Sequence, residues 1–235
     1  MVRLANADLN EALRTTGAVR QFQPDPVTDE TIARLLDTAR FAPNGGNRQA
    51  WRVVVVRDPE KKRALRDLYV DGWYRYVAMR QAGLTPWAPV TDRAAEAEAS
   101  LRAPDVAKAA AARPGFPELL DQAPALLVLL ADLRRLAATD RDLDRYGLVG
   151  GASIYPFAWS LLLAARAEGL GGVLTTVAVR REDDVRALLD VPEEFAVAGV
   201  LALGRPLSRR SRLKRLPVSS FATVDSFKGP PLTQT

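Results

Sequence analysis

The 235-residue sequence contains neither cysteine nor histidine. Without cysteine there are no disulfides, thiolate nucleophiles or thiolate-bound zinc. Without histidine the commonest acid–base side chain and metal ligand is gone. An enzyme built from this chain must draw its chemistry from carboxylates, tyrosine, lysine, hydroxyls or a bound cofactor, and a cofactor is the economical choice. Long apolar runs are missing too. The longest, Ala123 to Ala131 and Ala158 to Ala165, fall far short of the roughly 20 residues that span a bilayer. Residues 1–10 show no positive region followed by an apolar stretch, the mark of a secretory signal. A cytoplasmic protein without a membrane partner is therefore expected. Lysine is scarce, so arginine supplies most of the positive side of a net charge of +5. Arginine suits bidentate recognition of phosphate and carboxylate, although an arginine-rich surface also arises from genome composition alone.

What is present is ordinary for a folded domain: 48% apolar and 26% charged residues in a length that fits one core. Residues 8–15 read as a short helix, followed by an extended piece through Val19 and Phe22. Thr28 is placed to cap a helix ending at Arg40, because Ile32, Leu35, Leu36 and Ala39 recur at helical spacing. Trp51 to Val56 is an apolar, β-branched run that reads as a buried strand, and Asp58-Pro59 opens a helix reaching about Tyr69. Further strands are expected at 125–130, 173–179 and 195–203, with helices at 152–168 and 182–189. Residues 70–117 are the least legible and read as an insertion with helices. Alternation of strands and helices points by itself to a parallel doubly wound sheet. Val56-Arg57-Asp58-Pro59 offers no glycine for a pyrophosphate, however, which disfavours a Rossmann domain.

The most informative segment is Ala42-Pro43-Asn44-Gly45-Gly46-Asn47-Arg48-Gln49-Ala50-Trp51, between a helix and a buried strand. Its glycines free the backbone to approach a flat ligand, and Asn47 and Gln49 can each donate and accept hydrogen bonds. On these residues alone a plain polar turn is the alternative. Several segments in order resemble the nitroreductase family: Ala18-Val19-Arg20-Gln21-Phe22; Pro43 to Trp51; Ala152-Ser153-Ile154 running through Leu161 to Arg166 into Gly169-Leu170-Gly171; and Gly204-Arg205-Pro206. The resemblance covers the chain except for about residues 70–120.

The resemblance implies an α+β fold in which a mixed, largely antiparallel sheet is flanked by helices. It implies a single domain over 1–235, with an insertion at about 70–120 and a C-terminal arm at about 207–235 wrapped on the partner of an intertwined homodimer. FMN is then held between subunits by Arg20, Pro43, Asn44, Gly45, Asn47, Gln49, Gly171, Gly172 and Arg205. Arg20 and Arg205 are assigned to the phosphate, and the amide of Gly171 or Gly172 to flavin N5. Ser153 is expected to cap the long helix. No side chain is assigned a catalytic role, because the flavin carries the chemistry. The implied activity is hydride transfer from NADPH or NADH, through FMN, to a nitroaromatic, quinone or similar oxidising small molecule. Proteins of this fold also perform dehalogenation, flavin fragmentation and dehydrogenation of peptide-derived rings. Storage of FMN without turnover is the alternative on the same fold. The sequence departs from the family opening at Thr16 and Ala18, where an arginine and a serine are usual. Phosphate binding must lean on Arg20 and Arg205, with Arg209 or Arg14 as substitutes. The aromatics Tyr69, Trp73, Tyr74, Tyr76 and Trp87 serve either substrate binding or packing. The basic run from Arg209 to Arg215 lacks a nucleic-acid recognition motif, so no nucleic-acid partner is expected.

Overall fold

The computed structural model describes residues 9–209 and 213–233. Four strands, β1 (Trp51–Val56), β2 (Ala125–Asp132), β3 (Gly171–Thr175) and β4 (Phe195–Gly204), form one sheet in the order β1-β2-β4-β3. All three pairings are antiparallel. The doubly wound parallel arrangement that alternation alone predicted is not formed. The helices are α1 (Leu9–Thr15), α2 (Asp29–Ala39), α3 (Pro59–Gln81), α4 (Arg93–Ser100), α5 (Ala103–Ala112), α6 (Tyr155–Ala167) and α7 (Glu182–Leu188).

The sheet is buried on both faces, which explains why its strands read as continuous apolar runs rather than as alternating ones. Every residue of β2 is buried. Leu127 and Leu129 face a core shared with Leu35 of α2 and Phe157 and Leu161 of α6. Leu126, Val128 and Leu130 face a second core with Leu65 and Tyr69 of α3 and Val185 of α7. Trp51 stacks on Phe157 with centroids 4.8 Å apart, fastening the start of β1 to α6.

Three boundaries differ from the sequence-based expectation. Helix α3 does not stop near Tyr69 but continues to Gln81. Gly72, inside the extended part of the helix, is buried where a Cβ would lie 2.8 Å from Val177 Cγ1, so it serves close helix packing. Strand β3 begins two residues earlier than expected and ends at Thr175; the chain then coils into a 3₁₀ turn, Val177–Arg181, despite its β-branched residues. The long helix starts at Tyr155, after a separate 3₁₀ turn at Val149–Ser153.

The surface is large for the mass. A compact 25.6 kDa monomer is expected to expose about 10,400 Å², whereas this chain exposes 15214 Å². Part of the surplus is apolar: Leu13 on α1, Trp159 on α6, and Leu216, Phe221 and Phe227 in the C-terminal arm are all exposed. Residues 210–212 and 234–235 of the expected arm, and with them the middle of the basic run, lie outside the described residues.

Candidate functional site

Two cavities lie at opposite ends of β3. The first, of about 300 Å³, is walled by the segment from Thr15 to Gln21, the end of α6, the start of β3, and Ser208 and Arg209. The extended segment is held in place by backbone bonds on either side: Val19 N–H donates to the Gly172 carbonyl at 2.9 Å, and Gln23 N–H to the Arg205 carbonyl at 2.8 Å. Gly171 and Gly172 are buried because the chain passes too closely for side chains; a Cβ on Gly172 would sit 2.5 Å from the Ala202 carbonyl oxygen. Their smallness therefore serves both packing and the cavity wall.

The electrostatics of this cavity are one-sided. Arg20, Arg166 and Arg209 line it, and no carboxylate does among the described residues. Arg166 Nη2 donates to Thr15 Oγ1 at 2.6 Å. Arg209 Nη2 donates to the carbonyls of Gly169 and Leu170 at 2.8 and 2.9 Å. Burial, with the nearby charge of Arg166 adding to it, pushes the Arg209 guanidinium pKa below the ordinary arginine value. Two like charges held together without an acidic neighbour make a seat for an anion. The Thr16 hydroxyl is buried in the same wall with no hydrogen-bond partner. An orphaned buried hydroxyl is costly, and a ligand oxygen is the simplest group to satisfy it.

Of the expected site residues, the structure brings Arg20, Gly171 and Gly172 together here. Arg205 does not line the cavity: its side chain is exposed, with Nε 3.7 Å from Asp25 Oδ2. The place expected for it is filled by Arg209 and Arg166. Sequence reading named Arg209 only as a substitute and did not name Arg166 or Thr16 as ligands. The one available signal was Arg166, one residue before α6 ends at Ala167, just ahead of the glycine run.

The loop with Pro43, Asn44, Gly45, Asn47 and Gln49 is elsewhere and lines neither cavity. Gly45 N–H donates to Ser153 Oγ at 3.0 Å, so Ser153 holds this loop and does not cap α6; α6 has no side-chain cap. Ser153 precedes α6 and the glycines follow it. The loop and the first cavity are thus separated by a 13-residue helix, about 20 Å at 1.5 Å per residue. The loop is strained: Gly46, Asn47 and Gln49 have φ of 60°, 53° and 50°, and Gln49 N–H is held by Asn44 Oδ1 at 2.8 Å. Left-handed backbone at non-glycine residues persists where surrounding structure imposes it, and such positions cluster at ligand sites. Both Asn47 and Gln49 present exposed side chains.

The second cavity, of about 1360 Å³, lies beyond the other end of β3, between α3, the α4–α5 insertion and the turn after Thr175. Tyr69 is absent from its lining, but Tyr69, Trp73, Tyr76 and Trp87 form a ladder leading to it, with successive centroids 6.1, 5.2 and 6.0 Å apart.

The model of the nitroreductase family matches residues 13–205. The chain belongs to the nitroreductase family. A 5,6-dimethylbenzimidazole synthase of Rhodospirillum rubrum is 35% identical over 198 residues, covering 80% of this chain and 77% of the relative. An NADH dehydrogenase of Thermus thermophilus is 30% identical over 211 residues, covering 90% and 93%. Among solved structures, the NADPH:FMN oxidoreductase of Vibrio harveyi, complexed with NAD+, superposes with a TM-score of 0.63 at 22% identity, covering 93% of this chain and 77% of that one. The α+β nitroreductase fold is thereby established. No helix among the described residues is long and apolar enough to cross a membrane.

Proposed function

We propose that this nitroreductase-family protein is an FMN-dependent oxidoreductase that takes reducing equivalents from NADPH or NADH and delivers them to an oxidising small molecule. The observation that carries this reading is the first cavity: among the described residues, three arginines, no carboxylate and an unpartnered Thr16 hydroxyl. This is the donor set a phosphate dianion requires. The cavity is at the low end of ligand-site volumes, about 300–1,000 Å³. It has room for a phosphate and the start of a ribityl chain, and it leaves the ring system to be held from outside.

Arg20, Arg166, Arg209 and Thr16 would hold the phosphate, and Gly171 and Gly172 would let the cofactor lie close to β3. Pro43, Asn44, Gly45, Asn47 and Gln49 would reach the same cofactor from a second subunit, because within one chain they are a helix-length away. The exposed apolar side chains and surplus surface support that homodimer. Bound there, FMN would supply a hydride acceptor at N5, with donor and oxidising substrate using the site in turn. The protein's part is to bind the anion, orient the ring and keep water from it, which requires neither histidine nor cysteine.

The test is anaerobic addition of NADPH or NADH to the purified protein. Bleaching of the flavin absorption and its return on adding nitrofurazone or menadione is expected. A colourless protein that FMN does not reconstitute overturns the reading, and a flavin that neither donor reduces transfers it to FMN storage. A second reading rests on the relative named 5,6-dimethylbenzimidazole synthase: the bound flavin is itself fragmented to a benzimidazole. Loss of flavin with appearance of that product, after aerobic incubation of the reduced protein, would establish it.

A further inference from the structure

The second cavity carries features that binding a phosphate at the first does not use. Four arginines line it, Arg75, Arg93, Arg180 and Arg181, against two carboxylates, Asp71 and Glu96. Asp71 is shared by Arg75 and Arg181 at 3.4 and 3.5 Å. Glu96 Oε1 is taken by Trp87 N–H at 2.7 Å and by the Thr91 hydroxyl at 3.4 Å. Arg93 and Arg180 form no ion pair among the described residues. Arg180 lies over Trp87, its guanidinium carbon 5.2 Å from the ring centroid. Trp87 in turn is held at φ 57° by its bond to Glu96. An arginine laid on an indole face keeps its N–H edge free and has already lost part of its rotamer freedom, so it pairs with an anion at reduced entropic cost. Tyr146 and Tyr155, 71% and 44% exposed, stand in the wall of the same cavity. Thr176, the residue after β3, lines it as well, so the strand whose first glycines wall the phosphate seat ends at this cavity about 16 Å further on.

We propose that this cavity selects, as the oxidising substrate, a planar aromatic acid whose anionic group pairs with Arg180 and Arg93 and whose ring lies against Tyr146 and Tyr155. The proposal rests on the reading of the chain as a flavin oxidoreductase and adds the substrate class. A neutral aromatic of the same shape gains the ring contacts and leaves both arginines unpaired, so charge discriminates between substrates that size does not.

The test is equilibrium binding without turnover, so that it does not depend on reduction of the flavin. Calorimetric titration of the FMN-loaded protein with 4-nitrobenzoate and with 4-nitrobenzamide, in the absence of donor, is expected to show the acid bound about tenfold more tightly, ~1.4 kcal/mol. Arg180→Gln is expected to abolish that preference while leaving the amide within about twofold, and Arg93→Gln to reduce it. Arg180 is exposed, so the variant is expected to fold, and an unchanged melting temperature checks this. Equal affinity for the two probes, or a preference that survives Arg180→Gln, overturns the proposal. So does a variant that loses affinity for NADP+ and not for the acid, because the arginines then serve the nicotinamide donor. If neither NADPH nor NADH reduces the protein but the preference and its loss are observed, the enzymatic reading fails and the binding assignment stands.

Discussion

The two ends of β3 are built by opposite means. At its start, backbone passes so close to backbone that only glycine fits, and the resulting seat is small, arginine-lined and, among the described residues, without acid. At its end the strand gives way to a turn, and α3, α4 and α5 border a wide space lined, among the described residues, by aromatic residues and by both paired and unpaired arginines. The narrow end has geometry that tolerates almost no change, as suits an invariant chemical group. The wide end is assembled from side chains on separate helices that can vary one at a time, as suits a substrate. On the proposed reading, recognition of the cofactor and choice of substrate fall to different structural materials.

The hardest blow to this contrast is Gly172→Ala. The added Cβ meets the Leu203 side chain and lies 2.5 Å from the Ala202 carbonyl oxygen, which belongs to the sheet backbone and cannot yield cheaply. A loss of about 3 kcal/mol is expected in chemical denaturation, and an unaltered midpoint would show that the narrow end is not tightly determined. Next, Arg209→Gln and Arg166→Gln are each expected to weaken FMN binding by about 10- to 100-fold, measured by quenching of flavin fluorescence. Neither should affect the preference for an acid over an amide at the wide end; a joint effect would merge the two sites into one. Thr16→Val separates ligand binding from folding. Removing an unsatisfied hydroxyl is expected to stabilise the FMN-free protein by about 1 kcal/mol while lowering FMN affinity several-fold, about 1 kcal/mol. A variant no more stable than the parent would mean that this hydroxyl finds a partner without ligand. The smallest effect is expected from Arg205→Gln: its 3.7 Å contact with Asp25 is solvent-exposed, so stability should move by less than about 0.5 kcal/mol and FMN affinity by less than about twofold. A large loss of affinity would restore Arg205 to the role its sequence position implied.

Much of the frame was legible because it follows local rules. Trp51 to Val56 is recovered at both ends, and Thr28 accepts the Thr31 amide as an N-cap should. The misreadings share a physical cause, namely tertiary contact overriding local preference. α3 runs on past Tyr69, where Gly72 lets it pack closely on Val177; Thr176, Val177 and Val179 have strand-forming side chains, yet the chain turns there. Ser153 reads as a helix cap but is claimed by an amide 108 positions earlier in the chain. The site divides the same way. Arg20 and the glycines lie in recognisable motifs, whereas Arg166 and Arg209 reach the cavity from the end of a helix and from a tail, with no spacing that links them. Nor does any pattern in sequence show that Arg205 turns away toward Asp25.

The surplus of exposed surface has a thermodynamic corollary. On the proposed homodimer, Trp159 and the exposed apolar side chains between residues 213 and 233 are surface that a second copy would bury. In that homodimer folding and association would be linked, and the melting temperature would then depend on protein concentration. Diluting the protein tenfold should lower the melting point measurably, even with every residue intact.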